Sequence, residues 1–467
     1  MGGSSLAAEV IFDLFEKDTD IKLQILDTSD PLQIAEARRK HNPKETLFIA
    51  ASKSGTTTEV KMLLEYFMAE AKESLGDIAA EHFIAITDPG TSLEKTARDF
   101  GFRRIFLSDI TTGGRFSALT PFGILPAILM GLDPQKISSK VYAMMQNCSP
   151  SLPFNRNEGA ALGTFIGIAA ANGRDKLTIL TDPEFTPFGS WLEQLIAESS
   201  GKEGKGIIPV DREPDLIGKT YSNDRAFVYI NLNNSLSEKI AKIKTSGIPV
   251  FEIFVDDCYD IFSEFYRWEI AISVGCAILN VNAFDQPNVQ ESKGLTAAKI
   301  DEYQAKGFIE DFPAVWQDEN SDVCTVNDEI NLTGCSNCDE IINSFVSGAE
   351  PGKNYIAVNA YLPRNTETET WLQQLRSAIL HSTNCATTLG FGPRFQHSTG
   401  QLHKGGTNSG YFIQIVADYD QDIDIPNTNL TFKTLERAQS MADLESLKAN
   451  GRKAIRIRFK NGLPSRG

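Results

Sequence analysis

Short hydroxyl side chains crowd around one glycine in residues 50–59, which read ASKSGTTTEV. The apolar run TLFIA before them is typical of a short buried strand, and TEVKMLLEYFMAEAKESLG after them has the apolar spacing of an amphipathic helix. A strand, a Gly/Ser/Thr turn and a helix start bring backbone N–H groups and the positive end of the helix dipole to one point. This arrangement favours a phosphate cradle, although an ordinary polar turn fits the same residues. The glycine spacing and Gly-Lys-Ser/Thr ending of a Walker loop are absent.

Two charged residues elsewhere are suited to proton transfer and oxyanion binding. Arg115 follows two glycines in TTGGRFSALT, where the backbone can approach a ligand closely and the guanidinium offers a fixed fork of donors. Glu198 lies in EQLIAESSGKEGKG, on the inner stripe of a predicted helix, where a carboxylate could act as a base. A surface arginine in a turn and a solvated glutamate are the plainer alternatives.

Three further segments carry candidate residues. Gln286 and Lys293 lie seven residues apart in FDQPNVQESK, which also fits a Pro-marked helix start with a surface lysine. His397 and His403 lie among glycines in GPRFQHSTGQLHKGG, a composition typical of a binding loop, although either could be merely exposed. GGSS at the start, which includes Ser4, is another Gly/Ser candidate for anion binding.

Strand-like and helix-like segments alternate along most of the chain and must position these residues. Their near-continuous apolar strands predict an α/β fold with two doubly wound parallel-sheet domains and a C-terminal α/β extension. Sites in such sheets lie at the carboxyl ends of the strands, where SKSGTTT falls. The predicted ranges are 1–135 for the first domain, 136–307 for the second, 308–353 for an acidic irregular insertion or linker, and 354–467 for the C-terminal unit that carries the histidine loop.

Composition limits the partners of the chain. Its 467 residues are 41% hydrophobic and carry a formal net charge of −16, which argues against a nucleic-acid surface. No apolar stretch approaches the ~20 residues of a membrane span, and the start does not resemble a secretory signal. We therefore expect a cytoplasmic location. Seven scattered cysteines indicate reduced thiols, and the lone Cys335–Cys338 pair does not complete a metal site, so we expect no metal.

Taken together, the motifs resemble the glucose-6-phosphate isomerase (phosphoglucose isomerase) family. GGSSLAAEV, SKSGTTTE, GGRFSAL, ESSGK and FDQPNVQESK are similar to successive active-site motifs of the family, in the order of the family. FGPRFQHSTGQLHKGG and the tail LTFKTLERAQSMADLESLKANGRKAIRIRF resemble the isomerase part of bacterial bifunctional transaldolase/phosphoglucose isomerase proteins. The resemblance runs essentially from residue 1 to residue 467.

The resemblance implies sugar-isomerase (SIS) domains that interconvert glucose 6-phosphate and fructose 6-phosphate through a cis-enediolate, without a cofactor. It makes Glu198 the base between C1 and C2, Arg115 the cation that stabilises the enediolate, and Lys293 and His397 the residues that open the sugar ring. For the substrate phosphate it implies a group of small hydroxyl side chains and backbone donors, namely Ser4, Ser52, Lys53, Ser54 and Thr57. Further contacts with the sugar would come from Gln286 and His403.

Two departures from the family pattern bear on these expectations. The histidine segment of the better-known isomerases lies between the glutamate and the lysine, whereas here it follows both, and QHST favours His397 over His403. In the family this histidine usually reaches the site of the neighbouring subunit, which implies a homodimer. The family also has a strand before GGSS, so we expect a chain truncated at its N-terminus, with transaldolase as a candidate upstream domain.

Three alternatives fit the same residues. One is a non-catalytic sugar-phosphate-binding protein of the same fold, a second is a related isomerase that also accepts mannose 6-phosphate, and a third is an inactive truncated remnant. Binding alone needs only the Ser/Thr loop. The presence of Glu198, Arg115 and Lys293 therefore favours an enzyme.

Overall fold

Three β-sheets organise the protein in the computed structural model. It describes residues 3–16, 19–327, 332 and 334–464, without the side chains of residues 3, 4, 289 and 290. Each sheet is the centre of one unit, and the three units follow one another along the chain.

The first unit is built on a three-stranded parallel sheet of order β1-β2-β3. Its strands are β1 (Phe48–Ala51), β2 (Phe83–Thr87) and β3 (Arg104–Leu107). Its helices are α1 (Gly3–Phe15), α2 (Pro31–Lys40), α3 (Thr58–Leu75), α4 (Ser92–Phe100) and α5 (Pro121–Leu129). Every residue of β2 is buried, as expected for a central parallel strand with helices on both faces.

The second unit has a four-stranded parallel sheet of order β5-β4-β6-β7. Its strands are β4 (Lys176–Thr181), β5 (Ile208–Val210), β6 (Arg225–Asn231) and β7 (Val250–Phe254). Its helices are α6 (Pro134–Asn147), α7 (Glu158–Ala171), α8 (Phe188–Ser200), α9 (Ser237–Thr245), α10 (Asp260–Leu279) and α11 (Pro287–Lys306). The predicted α/β class with parallel sheets is thereby confirmed.

The third unit has a six-stranded sheet of order β11-β10-β12-β13-β9-β8. Its strands are β8 (Ala314–Gln317), β9 (Ser321–Thr325), β10 (Tyr355–Tyr361), β11 (Ala386–Phe391), β12 (Gly410–Ala417) and β13 (Lys453–Phe459). Its helices are α12 (Cys338–Val346), α13 (Thr366–Thr383), α14 (Thr399–Gly405) and α15 (Phe432–Ala449). The pairs among β10–β13 are parallel, whereas β9 is antiparallel to both of its neighbours.

The acidic stretch 308–353 differs from the irregular linker that its composition suggested. It contributes β8, β9 and α12, and β9 pairs with β13 through five residues. Strands of four and five residues at a sheet edge are too short to show a clear alternation of apolar and polar residues, so the acidic composition dominated the prediction. The domain boundaries themselves stay predictions.

Within the part of the chain just described, no helix combines the length and the apolar character required to cross a membrane.

Candidate functional site

Glu198 lies in the last turn of α8 and is 7% exposed. Its Oε1 is 3.1 Å from Nη1 of Arg115, and its Oε2 accepts a hydrogen bond of 3.0 Å from Nε2 of Gln194. Gln194 precedes Glu198 by one helical turn, so the two side chains share a face of α8. The carboxylate is therefore held on both oxygens in a nearly closed environment.

Arg115 is 2% exposed and lies in a short helical turn, Gly114–Phe116. Its guanidinium donates to Oγ of Ser199 at 2.8 Å and to Oε1 of Gln286 at 3.1 Å. It also donates to the backbone carbonyls of Ala283 and Asp285. The planar fork of donors thus ties α8 to the segment before α11 while one nitrogen faces the Glu198 carboxylate.

The structure brings Gln286 to the predicted site and places Lys293 on the same helix. Gln286 is the residue at the N-terminal boundary of α11 and accepts its bond from Arg115. Lys293 lies about two turns further along α11 and is half-buried. Among the residues described, its ammonium group makes no hydrogen bond or ion pair.

His397 contacts residues of both parallel-sheet units. Its Nε2 is 3.1 Å from Oε1 of Glu59, a residue in the first turn of α3 that is 3% exposed. Its backbone carbonyl accepts a hydrogen bond of 2.8 Å from Gln194, the same amide that holds Glu198. Burial alone raises the pKa of Glu59, but the adjacent His397 holds the pKa of that carboxyl below its ordinary value. Glu59, His397, Gln194 and Glu198 are therefore connected in one network of polar contacts.

Sequence reasoning did not single out Glu59 or Gln194. The sequence could have indicated both residues, because Glu59 is the last residue of the SKSGTTTE motif and Gln194 precedes Glu198 by one helical turn. A glutamate directly beside a phosphate-cradle motif was the available signal.

His403 occupies a different environment from His397. It is 3% exposed and packs against the rings of Phe395 and Phe412, with ring centroids 5.9 and 4.9 Å away. Burial, together with the charges of Lys404 and Arg452, lowers the pKa of His403 to about 3. No hydrogen bond in the described structure joins it to Glu198, Arg115 or His397. Its predicted substrate contact stays a prediction, and its burial favours a packing role.

The predicted phosphate cradle is the loop between β1 and α3. Oγ of Ser52 lies 2.9 Å from Oγ1 of Thr57, and Oγ of the exposed Ser54 lies 3.0 Å from Oγ1 of Thr56. Thr57 forms the N-cap of α3 without a side-chain capping bond. Gly55 has φ +65° and approaches Thr91 so closely that a Cβ atom would lie 2.6 Å from Cβ of Thr91. The loop therefore offers hydroxyls and a helix N-terminus together.

Lys53 and Ser4 complete the set of residues predicted to bind the phosphate. Nζ of Lys53 donates to both carboxylate oxygens of Asp88, at 2.6 and 2.7 Å, and to the carbonyl of Asp109 at 2.8 Å. The charge of its ammonium group is therefore already neutralised, so only the backbone of Lys53 remains to contact a phosphate in the loop. The side chain of Ser4 lies outside the described residues. For both residues, phosphate binding stays a prediction.

A buried ion-pair cluster links α1 to the histidine segment. Glu9 on α1 accepts from Nη1 of Arg364 at 2.7 Å and from two nitrogens of Arg394. Nε of Arg394 also donates to Asp27, which accepts in addition from Oγ of Ser5 at 2.8 Å. Burial would raise the pKa of Glu9, but the Arg394 and Arg364 guanidiniums lower it to about 2.

Glu9→Gln is expected to destabilise the fold at neutral pH, and the loss is expected to disappear in acid. Because the folded-state pKa lies below the ordinary value, ionised Glu9 stabilises the fold above about pH 4.5, and this contribution is lost as the pH falls through about 2. A shift of this size corresponds to roughly 3 kcal/mol. Urea unfolding at pH 7, 4 and 2.5 measures the difference, with the exposed Glu45→Gln as control. A difference that is constant over this range would contradict the prediction.

No group of three or more His, Cys, Asp or Glu side chains within the described ranges is placed to hold a metal ion. All seven cysteines are free thiols.

The fold and the site define an α/β protein with parallel sheets, in which Gln194 and His397 connect a buried carboxylate–guanidinium pair to Glu59, next to a Ser/Thr loop at the end of a strand. A hypothetical protein from Thermus thermophilus has a similar fold, with a TM-score of 0.54 and 22% identity over 64% of this chain and 82% of that chain. The family model described as Phosphoglucose isomerase matches residues 1–212, a range that includes the Ser/Thr loop, Arg115 and Glu198.

Curated relatives agree with this match. Glucose-6-phosphate isomerase from Parabacteroides distasonis is 26% identical over 294 residues, which are 54% of this chain and 65% of the relative. The enzymes of the same name from Acholeplasma laidlawii and Methanocaldococcus jannaschii are 29% and 25% identical, over 54% and 63% of this chain and 69% and 81% of theirs. The chain is thus similar to the phosphoglucose isomerase family over the residues that the model matches, and to these three relatives over 54–63% of its length. It spans about two thirds of the length of the first two relatives. The resemblance to the bifunctional transaldolase branch stays a prediction.

Proposed function

We propose that this chain interconverts glucose 6-phosphate and fructose 6-phosphate by moving a proton between C1 and C2 through a cis-enediolate. The observation that carries the proposal is the buried pair of Glu198 and Arg115, 3.1 Å apart, within the residues that match the Phosphoglucose isomerase model. Proton abstraction next to a carbonyl needs a carboxylate near the carbon and a fixed cation near the oxygen that becomes negative. The pair supplies both groups.

In the proposed reaction, the Glu198 carboxylate removes the proton from C2 of the open-chain aldose, and the electron pair moves toward the carbonyl oxygen at C1. Arg115 stabilises the oxyanion of the enediolate. A proton moves from the C2 hydroxyl to the oxyanion at O1, and Glu198 then returns its proton to C1, which leaves a hydroxyl at C1 and the ketone at C2. Because the carboxylate is 7% exposed and interactions between charges strengthen away from water, the burial of the pair favours this step.

Ring opening is assigned to His397 and Lys293. Glu59 fixes the orientation of the His397 ring through a 3.1 Å contact, so that the imidazole can exchange a proton with a ring or hydroxyl oxygen of the sugar. Lys293 offers a half-buried ammonium group without a protein partner among the described residues. The 6-phosphate is assigned to the loop 52–57, where it supplies binding energy away from the reacting carbons.

A coupled assay that detects glucose 6-phosphate formed from fructose 6-phosphate tests the proposal. Running the reaction in D₂O and measuring deuterium at C2 of the product by NMR adds a direct readout of proton transfer. Turnover with solvent deuterium at C2 supports an enediolate, whereas turnover with complete retention of the substrate hydrogen would indicate a direct hydride shift and contradict it. Binding of fructose 6-phosphate without turnover would overturn the enzyme proposal in favour of a binding protein, and a parallel assay with mannose 6-phosphate reports specificity.

Thr57→Val is expected to lower kcat/KM for fructose 6-phosphate roughly 10- to 100-fold, because one hydrogen bond to a charged phosphate contributes about 1.5–3 kcal/mol. Inhibition by inorganic phosphate should weaken by a similar factor, since both ligands would use the same hydroxyl. Thr370→Val, at an exposed position of α13, is the matched control. Equal phosphate inhibition of Thr57→Val and the control would contradict the assignment of the loop.

A further inference from the structure

Lys202 is a buried cation four residues beyond Glu198. It is 2% exposed and lies in the turn that follows α8. Two backbone hydrogen bonds of 3.0 and 2.9 Å between Lys202 and Lys205 close this turn. A buried lysine is rare unless its ammonium group is paired. The partners of this ammonium group therefore indicate what Lys202 does in the fold.

Among the described residues, the ammonium group of Lys202 bonds to the segment between α10 and α11. It donates to the carbonyl of Asn282, and to both the carbonyl and Oδ1 of Asp285 at 2.6 Å. An ammonium group has three N–H donors, so these three acceptors use all of them. Lys202 is therefore engaged with the protein and has no donor left for a substrate.

The same segment supplies the acceptors of Arg115. The carbonyls of Ala283 and Asp285 accept from Nη2 of Arg115, and Oε1 of Gln286 accepts from Nη1 at 3.1 Å. The carbonyl of Asp285 thus accepts from Arg115 at 3.1 Å and from Lys202 at 2.6 Å. Lys202 consequently holds the backbone on both sides of Ala283, where the guanidinium is bound.

Regular secondary structure does not fix the position of these acceptors. Residues 280–286 belong to neither a helix nor a strand, and Phe284 within them is 64% exposed. The backbone carbonyls of such a segment depend on donors from elsewhere in the fold for their orientation. Lys202 supplies donors of this kind from the end of α8, the helix that carries the proposed base.

The two cations lie close enough to influence each other. Burial lowers the pKa of Lys202, its hydrogen bond with Asp285 opposes this decrease, and the charge of Arg115 adds to it. Repulsion between like charges would separate the two groups if they did not share an acceptor. The segment 282–285 therefore holds two cations side by side, one of which faces the Glu198 carboxylate at 3.1 Å.

From these contacts we propose that Lys202 is a positioning residue of the isomerisation, which fixes segment 282–285 and thereby orients the Arg115 guanidinium toward the enediolate oxygen. The inference rests on the proposed function and deepens it. Lys202 acts through Arg115 and does not touch the sugar. Its loss affects kcat and leaves KM nearly unchanged, because the loop 52–57 that is assigned to the phosphate lies in the first unit and makes no contact with Lys202.

Lys202→Met tests the inference, since methionine keeps an apolar stem but removes the charge and all three donors. The substitution is made in the wild-type chain and in Arg115→Met, and kcat and KM are measured for both by the coupled assay. Lys205→Met is the matched control. The ammonium group of Lys205 donates to the carbonyls of Leu279 and Asn280, at 3.0 and 3.4 Å, and to no acceptor of Arg115. Thermal melts show that each variant is folded.

Lys202→Met is expected to lower kcat about 10-fold, because a small displacement of a catalytic group has a large effect on rate. KM for fructose 6-phosphate should change by less than about 2-fold, since Lys202 makes no uniform binding contact. In the Arg115→Met chain, the same substitution should lower kcat by less than about 2-fold, because residues that act through one another are not additive. Lys205→Met should keep wild-type kcat, even if its melting temperature falls as far.

Asp285→Ala provides a second variant in case Lys202→Met does not fold. The Asp285 side chain is 54% exposed, so its removal leaves the core intact while the Lys202 ammonium loses one of its acceptors. We expect a smaller loss of kcat, about 2- to 5-fold, which again disappears in the Arg115→Met chain.

Wild-type kcat in both Lys202→Met and Asp285→Ala would overturn the inference. Equal fold losses with and without Arg115 would overturn it as well, since Lys202 would then act independently of the guanidinium. A raised KM with unchanged kcat would show a contribution to binding and not to positioning. Each of these results requires an active wild type, whereas an inactive wild type would overturn the proposed function, and the inference with it.

Discussion

Glu198→Gln is expected to reduce kcat for the isomerisation by on the order of 10³-fold, because the amide cannot accept the proton from carbon. The amide has nearly the shape of the carboxylate, and Gln194 and Arg115 remain in place to hold it. Binding of fructose 6-phosphate should therefore persist while turnover is lost. The coupled assay measures turnover, and calorimetric titration of the substrate measures binding.

Glu193→Gln is the matched control for this experiment, since it makes the same chemical change on the same helix. Burial and the neighbouring Asp211 raise the pKa of Glu193 to about 8, so its carboxyl is largely neutral at pH 7 and an amide imitates it closely. We expect this variant to keep wild-type kcat. Equal kcat values for Glu198→Gln and Glu193→Gln would show that Glu198 is not the catalytic base.

Arg115→Met is expected to affect both activity and stability. Loss of the cation near the enediolate oxygen should lower kcat by about 10²–10³-fold, the typical cost of removing one preorganised oxyanion donor. Because Glu198 would keep its charge without its buried partner, the free energy of unfolding should fall by about 3–5 kcal/mol. Urea unfolding measures the stability, and the coupled assay measures the activity.

The double variant Arg115→Met with Glu198→Gln separates the two origins of the stability loss. Removing the carboxylate charge relieves the unpaired ion, so we expect the double variant to be more stable than Arg115→Met alone. Part of the loss should remain, because the carbonyl of Ala283 still lacks the donor that Arg115 supplied. Strictly additive losses would contradict a coupled pair. Arg115→Lys should not restore wild-type behaviour, since an ammonium group cannot reproduce the planar fork.

Local sequence patterns were sufficient for the elements that carry the site. The first unit illustrates this, since the strand predicted from TLFIA is observed as Phe48–Ala51, and the amphipathic helix predicted from TEVKMLLEYFMAEAKESLG is observed as Thr58–Leu75. Apolar periodicity and capping residues act over a few neighbouring residues, so they can be read from a single chain. The Ser/Thr loop lies between β1 and α3, where the strand–turn–helix pattern placed it.

Partners that lie far apart in the sequence depended on the tertiary structure. Nothing in the local pattern around Lys53 indicates that Asp88 and the carbonyl of Asp109 occupy its ammonium group. The burial of His403 and the partial exposure of His397 likewise follow from how α14 packs on β12, since both histidines stand in the same glycine-rich segment. A single sequence shows the periodicity of its helices and strands, but it does not show which of their surfaces pack against each other.

The sequence by itself determined the α/β class, the Ser/Thr loop between a strand and a helix, and Glu198 and Arg115 as candidate residues. Only the tertiary structure decided that Glu198 pairs with Arg115, that Gln194 joins Glu198 to the histidine segment, and that Gln439 reaches Glu59 across 380 residues. The physical reason is that only interactions between near neighbours in the chain produce a pattern that can be recognised in the sequence. Propensity and periodicity act between neighbours, whereas a buried polar contact exists only after burial has brought distant surfaces together and excluded water.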